Sequence, residues 1–436
     1  MGLSKKAAFY TLGCKVNQYE TESLKNQLIN CGFTIVDFAE KADYYIVNTC
    51  TVTNIADRKS RNILRRAKKT NKDAVLIVTG CYAQTESAAL YGMEEIDYIV
   101  GNTGKKNLIG LILERERPRE RLHRDPIFSR KEYEEYPFAS LREMSRAYIK
   151  IQDGCDQFCS YCKIPFARGR SRSRAKENIL EEIRQMAGEG YREIILIGIN
   201  LGAYGADLEG KENFTSLVRE ILDRDFIERV RIGSVYPDKI DGDFINLFSY
   251  PALMPHLHIS LQSCDDTVLR KMRRNYGGQV IEEALGALKK AVPLLELTGD
   301  VIAGFPGETD RMFQNTCDLI EKIGFAGLHI FPYSDREGTF AATLPDKVPG
   351  PVKRNRVRRL EALKKILARR AREKYIGKEL SVLIEEEKNG YYFGYSENYL
   401  KTAILSDEHD DGPSWINKIR KVRINSIEKE MLTSDG

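Results

Sequence analysis

No apolar run in the chain approaches the ~20 residues that a membrane span requires, so no membrane partner is expected. The opening stretch MGLSKKAAFYTLG has no signal-peptide core and enters a strand pattern at once, and the expectation is a cytoplasmic protein. A disulfide framework is also missing. Nine cysteines spread over 436 residues point instead to metal or redox chemistry. With 42% hydrophobic and 30% charged residues the composition is that of a globular protein, and the length suggests two to four domains.

An even spread of charge is lacking too. The net charge is +5, yet Lys353 to Lys374 alone carries eleven Lys/Arg against two Glu, a local +9, which leaves −4 for the remainder. Positive charge so concentrated suits a polyanionic partner. Val357, Leu360, Leu363, Leu367 and Ala371 recur at three- and four-residue steps and predict an amphipathic helix. Taken alone, it could equally be an ordinary packing helix with a solvated basic face.

A fourth cysteine is absent from CDQFCSYC, which holds Cys155, Cys159 and Cys162. Three thiolates at this spacing can hold three irons of a [4Fe–4S] cube and leave the fourth open, whereas four-cysteine ligation is usual for a pure electron carrier. A zinc knuckle completed by a distant His or Cys is the alternative; the three-residue first gap and the CSYC ending speak against it. With Tyr161 just before the last cysteine, the stretch resembles the radical S-adenosylmethionine enzymes. There the open iron chelates S-adenosylmethionine, and electron transfer cleaves it to a 5′-deoxyadenosyl radical.

Along the chain the reading is α/β in three blocks. Residues 1–112 alternate strands (Ala7–Leu12, Tyr44–Asn48, Ala74–Thr79, Asp97–Val100) with helices (Tyr19–Asn30, Ile55–Lys69, Gln84–Tyr91), which predicts a doubly wound parallel α/β domain. Cys14, Cys50 and Cys81 each follow a strand, at the sheet edge where ligands bind in such folds. Three thiols meeting there make a second cluster site; singly, each would pass for a core cysteine, as Cys31 and Cys317 are read. Residues 113–141, with Pro118, Pro126 and Pro137, form a linker that crosses a surface or wraps a neighbouring domain. Residues 142–374 hold six strand candidates separated by helices, predicting a partial (β/α)6 barrel with its chemistry at the carboxyl ends of the strands. Residues 375–436, with short strands at Leu380–Ile384, Tyr391–Tyr395, Tyr399–Leu405 and Lys421–Ile427, predict a small β-barrel. Its Tyr391, Tyr392, Phe393, Tyr395, Tyr399 and Trp415 lie among Lys401, Lys418, Arg420, Lys421 and Arg423, an arrangement suited to stacking on unpaired bases, although any one ring could fill the core instead.

With these residues in hand, TLGCKVNQYET, NTCTVT and VTGCYAQ resemble the N-terminal domain of the methylthiotransferases. IQDGCDQFCSYCKIPFARG, HLHISLQSCDDTVLRKMRRNY, GDVIAGFPGET and HIFPYSDREGT resemble that family's radical domain, and the tail resembles its RNA-binding TRAM barrel. TLGCKVNQYE and HLHISLQS look like the branch acting on tRNA N6-threonylcarbamoyladenosine at position 37, rather than the isopentenyladenosine or ribosomal-protein branches. Cys264 departs from the pattern, which usually has Gly there; it is a mere substitution or a change to the substrate pocket. The resemblance implies that Cys155, Cys159 and Cys162 hold a radical-generating [4Fe–4S] cluster, and Cys14, Cys50 and Cys81 an auxiliary one whose open iron carries sulfur. One S-adenosylmethionine would methylate that sulfur and a second supply the radical, replacing the C2–H of adenine by C–S–CH3. Implied partners are the tRNA anticodon stem-loop, a low-potential electron donor and a sulfur donor, with the RNA lying across the basic helix and the tail. Among cofactor contacts, Tyr161 would lie near the adenine, and Gly198, Asn200 and Ser234 near the methionine and ribose. Gln262 and the Gly304–Glu308 turn would complete the wall, with Arg336 turned to a substrate or cofactor anion. The rival from another class is a non-catalytic iron–sulfur protein that binds RNA.

Overall fold

The computed structural model describes residues 4–114, 120–137, 145–210, 212–406 and 414–435. Pro118 and parts of the expected linker lie outside them.

Strand Tyr44–Thr49 is apolar on both faces, which only a sheet covered twice can satisfy. Tyr44 and Ile46 pack against helix Lys15–Asn30 through Leu24 and Leu28. Tyr45 and Val47 pack against helix Asn54–Thr70 through Ile63, Leu64 and Ala67. The sheet is wholly parallel, in the order Thr34–Val36, Lys6–Thr11, Tyr44–Thr49, Val75–Gly80, Tyr98–Val100, Leu122–His123. Its last strand comes from the expected linker, which therefore adds an edge to the sheet as well as joining it to the next block.

The central block supplies six parallel strands in chain order: Arg146–Lys150, Glu193–Ile197, Arg229–Ile232 resuming at Ser234–Val235, His256–Gln262, Glu296–Ala303 and Gly327–Pro332. One face of this sheet enters a single large core with the intervening helices, as Leu257, Ile259 and Leu261 do with Leu285 and Leu288. Part of the opposite face is covered from outside the block: Val16 and Tyr19 of the N-terminal helix, with Tyr136, lie on Ile195 and Ile197. Further along, His329 and Phe331 remain exposed on that face.

The last block is an antiparallel-rich six-stranded sheet with its own core of Leu380, Val382, Ile384, Ile404 and Leu432. Two expectations are corrected. Tyr399 sits at φ 66° in a turn, so its strand begins at Lys401. The predicted Lys421–Ile427 strand breaks into Ile419–Arg423 and Ser426–Glu428, because the backbone of Ile424 bonds to Lys378 and that of Asn425 to Thr433.

This sheet docks on the amino-terminal ends of the central strands. Arg231 donates to the carbonyls of Ser396 and Glu397, each at 2.8 Å, and Arg229 to that of Ser381 at 2.7 Å. The Tyr399 ring lies 4.6 Å from His256 and 4.8 Å from Tyr395, with Arg146 and Arg231 over its face at 5.3 and 4.9 Å. Tyr395 and Tyr399 thus hold the blocks together and are not free to stack on bases; Tyr391 stays exposed. The basic helix, Gly350–Glu373, forms as expected, burying Leu360, Leu367 and Ala371. Its Arg356 is buried against Glu308 at 2.7 Å and Asp310 at 2.8 Å, and Arg370 and the following Lys374 pair with Glu321 and Glu296, so three of the eleven cations are engaged by acids elsewhere in the chain. Tyr399→Ala removes a ring shared by two guanidiniums, each contact being worth about 1 kcal/mol. It is expected to release the C-terminal sheet faster in limited proteolysis while the central block resists as before.

Candidate active site

Each cysteine of the N-terminal block stands where a strand hands over to a helix. Cys14 caps helix Lys15–Asn30, Cys81 is the first residue of helix Cys81–Thr85, and Cys50 precedes the Thr53 cap of helix Asn54–Thr70. The handover at Cys81 depends on Gly80, at φ 96°, where a Cβ would sit 2.5 Å from the Thr49 carbonyl. The three thiols come together. A Cβ on Gly13 would lie 3.1 Å from the Cys50 sulfur, and Cys14 and Cys50 each feel the charge of Cys81. Burial, with repulsion from Cys81 and Cys14, pushes the Cys50 thiol up to about 12. Cys14 is exposed as a residue although its thiol is surrounded; desolvation raises its pKa, and the Arg168 guanidinium draws it back down.

The second set lies on the loop leaving the first central strand. Gly154, at φ 72°, lets that loop pass the Arg170 carbonyl, which a Cβ would approach to 1.8 Å. Burial, with repulsion from Cys159 and Cys155, pushes Cys162 up to about 12. Backbone amides of Gln157 and Ile164 point at the sulfurs of Cys155 and Cys162, both at 3.4 Å. In each set two cysteines are buried and the third lies at the rim, and three such mutually repelling thiols become thiolates together most readily with a cation to hold them. Both sets therefore fit metal ligation.

A short helix connects the two sets. Ile164–Arg168, just after Cys162, packs on the helix that begins at Cys81. Asn102 Nδ2 donates to the Ala167 carbonyl at 2.8 Å and lies 3.7 Å from the Cys81 sulfur. Arg168 reaches Glu20 at 2.9 Å, Asp153 at 2.9 Å and Asn17 at 2.6 Å. Lys150 adds bonds of 2.8 Å to Glu20 and Asp153, and Lys105 one of 2.5 Å to Glu20. Burial alone would raise the pKa of Glu20, yet Arg168, Lys105 and Lys150 hold it well below the carboxylate range.

The expected cofactor contacts divide. Asn200 Nδ2 lies 3.9 Å from the Cys155 sulfur, and the Asn200 backbone is fixed by Gln152 at 2.9 Å. Gly198 packs on Gln152 and Leu201. Ser234 is exposed, and Gln262 takes a positive φ of 65° at its strand end. The Tyr161 hydroxyl accepts from Arg274 at 2.9 Å. Glu308, though, is committed to Arg356 and to the Gly304 amide at 2.7 Å. Burial pushes its carboxyl up to about 7 despite both. Arg336 is largely engaged within the chain, with only its Nε left without a partner among the described residues. It pairs with Asp57 at 2.7 Å, with Thr51 at 2.7 Å and with Asn54, so it fixes the segment after Cys50 to the central block. Cys31 is exposed just past its helix end, not in the core as expected, whereas Cys317 is buried. Cys264 is buried beside Cys317, away from the open face.

Sequence reasoning missed Arg274 and Arg168, because an arginine in a basic, charge-rich chain carries no local signal. Arg274 is buried among Tyr161, Tyr236 (4.4 Å) and Tyr276 (5.7 Å), beside Cys155, Cys159 and Cys162. Its Nε and Nη1 have no partner among the described residues, and neither does Arg168 Nε. Orphaned cationic donors next to each thiol set fit an anionic group in both places.

Residues 6–101 match the model of the Uncharacterized protein family UPF0004, and residues 149–320 that of the Radical SAM superfamily. The threonylcarbamoyladenosine tRNA methylthiotransferase MtaB of Bacillus subtilis is 40% identical over 96% of this chain and 93% of its own. The chain belongs to the radical SAM methylthiotransferases. MtaB of Aquifex aeolicus is 38% identical over 96% of the chain and 100% of its own, and the tRNA-2-methylthio-N(6)-dimethylallyladenosine synthase of Pelotomaculum thermopropionicum is 32% identical over 98% and 97%. The fold is shared with the radical S-adenosylmethionine methyltransferase TsrM from Kitasatospora setae, at TM-score 0.57 and 18% identity over 78% of this chain and 77% of that one. A methylthiotransferase of this superfamily is an enzyme that uses S-adenosylmethionine and a [4Fe–4S] cluster. Among the described residues no helix is long and apolar enough to cross a membrane.

Arg168→Gln strips a buried cation from Glu20 and Asp153 and is expected to cost about 3 kcal/mol. Glu20 is depressed in the folded state, so its stabilisation is full above the ordinary carboxylate pKa of about 4 and is lost only as pH falls from there toward the depressed folded value. The deficit in urea midpoint should therefore be large at pH 7, still nearly full at about pH 4, and shrink only below it.

Proposed function

We propose that the protein methylthiolates carbon 2 of N6-threonylcarbamoyladenosine at position 37 of tRNA. The observation that carries this is that each block gathers three cysteines and the blocks dock through helix Cys81–Thr85 against Ile164–Arg168, which sets Cys81 beside the segment that follows Cys162. The substrate is supported by the relatives: those named for threonylcarbamoyladenosine are 34–40% identical to this chain, and those named for dimethylallyladenosine 32–34%.

Cys155, Cys159 and Cys162 would hold one [4Fe–4S] cluster and Cys14, Cys50 and Cys81 a second. When bound, these clusters and S-adenosylmethionine supply the radical, the sulfur and the methyl group that no side-chain acid or base could provide at an unactivated C–H. The chain's own residues do the rest. Gly154 bends the Cys155 loop, Asn200 lies beside its first sulfur, and Tyr161 is held by Arg274 for contact with the cofactor. Arg168 and Arg336 clamp the segments that follow Cys14 and Cys50. Val16 and Tyr19 shield part of the central face from water. The partners this chemistry needs are the anticodon stem-loop, a low-potential electron donor and a sulfur donor.

Anaerobically reconstituted protein is expected to bind about eight irons and, once reduced, to form 5′-deoxyadenosine. Nucleoside analysis of tRNA from a deletion strain should show loss of the methylthio group from threonylcarbamoyladenosine alone. An unchanged nucleoside profile eliminates the reading. Iron binding without 5′-deoxyadenosine would favour a non-catalytic RNA-binding protein.

A further inference from the structure

On the open face of the central sheet, three polar residues from neighbouring strands form a cluster that the foregoing leaves without a role. Asp300 Oδ1 lies 3.0 Å from His258 Nε2 and 3.3 Å from His329 Nδ1. His258 is oriented by Thr298 Oγ1, 2.9 Å from its Nδ1. Side chains alternate along strands, and the neighbours of these residues, Leu257, Ile259, Val301 and Leu328, all turn into the core. The cluster therefore faces away from the core. His258 and Asp300 are partly buried, His329 is exposed, and exposed Phe331 follows two residues on along the same face.

We propose that His258, Asp300 and His329 recognise the N6 substituent of the substrate base, a carbamoyl-linked amino acid that offers a carboxylate, a hydroxyl and an amide N–H. This rests on the function proposed above. His258 lies four residues before Gln262, and Asp300 four before Gly304, both at the strand ends that rim the cysteine loop. At roughly 3.3 Å per residue the cluster lies on the order of 13 Å below that rim, about the span of a base with a substituent. The base reaches such a site only when flipped out of its stack. With its C2 turned toward the thiols, the N6 group, on the far side of N1, points down the sheet. His329 then donates through its Nε2 to the carboxylate or hydroxyl and the other Asp300 oxygen accepts from the N–H, while His258, held between Asp300 and Thr298, fixes Asp300 in place. An isopentenyl group has no donor or acceptor and would strip water from all three residues without replacing it. Sites built to hydrogen-bond a substrate reject analogues lacking the group by about 10⁴-fold.

The test uses the full-length reconstituted enzyme and two anticodon stem-loops that differ only in carrying threonylcarbamoyl or isopentenyl on the base. Wild type is expected to prefer the first by at least ~100-fold in kcat/KM. Asp300→Leu and His329→Leu should each raise KM for it at least ~10-fold and narrow the preference. His329→Gln, which keeps a donor, should fall between. Iron content equal to wild type verifies that each variant is assembled. Unchanged KM and preference in both leucine variants would overturn the proposal, and the three residues would then only brace the strands. A wild type that modifies neither RNA overturns the substrate reading instead.

Discussion

The arrangement depends on one buried ion cluster. Glu20 comes from the N-terminal block, Asp153 from the loop before Cys155, and Lys105, Lys150 and Arg168 bind them together in the interior. Two carboxylates face three cations, with Arg172 a further 3.8 Å from Asp153. Such groups are expensive to bury unless their geometry is satisfied, so the blocks fit in one relative position or lose several kcal/mol. The surplus cation, Arg168, lies beside Cys14 and Cys81. Thiolates there, or a cluster held by them as proposed above, would supply the missing negative charge and tie the docking of the blocks to that site.

The same economy appears at each cysteine. Arg168 fixes Asn17, just after Cys14; Arg336 fixes Thr51 and Asp57, just after Cys50; and Asn102 joins Cys81 to the helix after Cys162. The N-terminal block provides the thiols, and the central block largely decides where they stand.

Much of this was legible in the sequence. The four strands expected in the first block form within a residue of their expected places, because a run such as YYIVNT can be buried on both faces only in a covered sheet, whereas the three-residue edge strand Thr34–Val36 was too short to read. The cysteines were found by spacing and by their place after strands, both local properties. What failed was long-range. Tyr399, Arg336 and Arg356 of the basic helix read as nucleic-acid or ligand contacts, since nothing local reveals that an aromatic or a cation is already taken by a distant block. Arg274 passed unnoticed for the converse reason: only the fold shows that a guanidinium is buried with donors to spare. The open polar face, too, becomes visible only when three strands lie side by side.

The docking of Tyr399 against His256, under Arg146 and Arg231, has a bearing on how a reactive intermediate survives. It covers the amino-terminal ends of the central strands, opposite the ends that carry the cysteine loop. A tail that seems a detachable handle is thereby also the floor of the central block, and loosening it would wet the underside of the strands on which the chemistry stands.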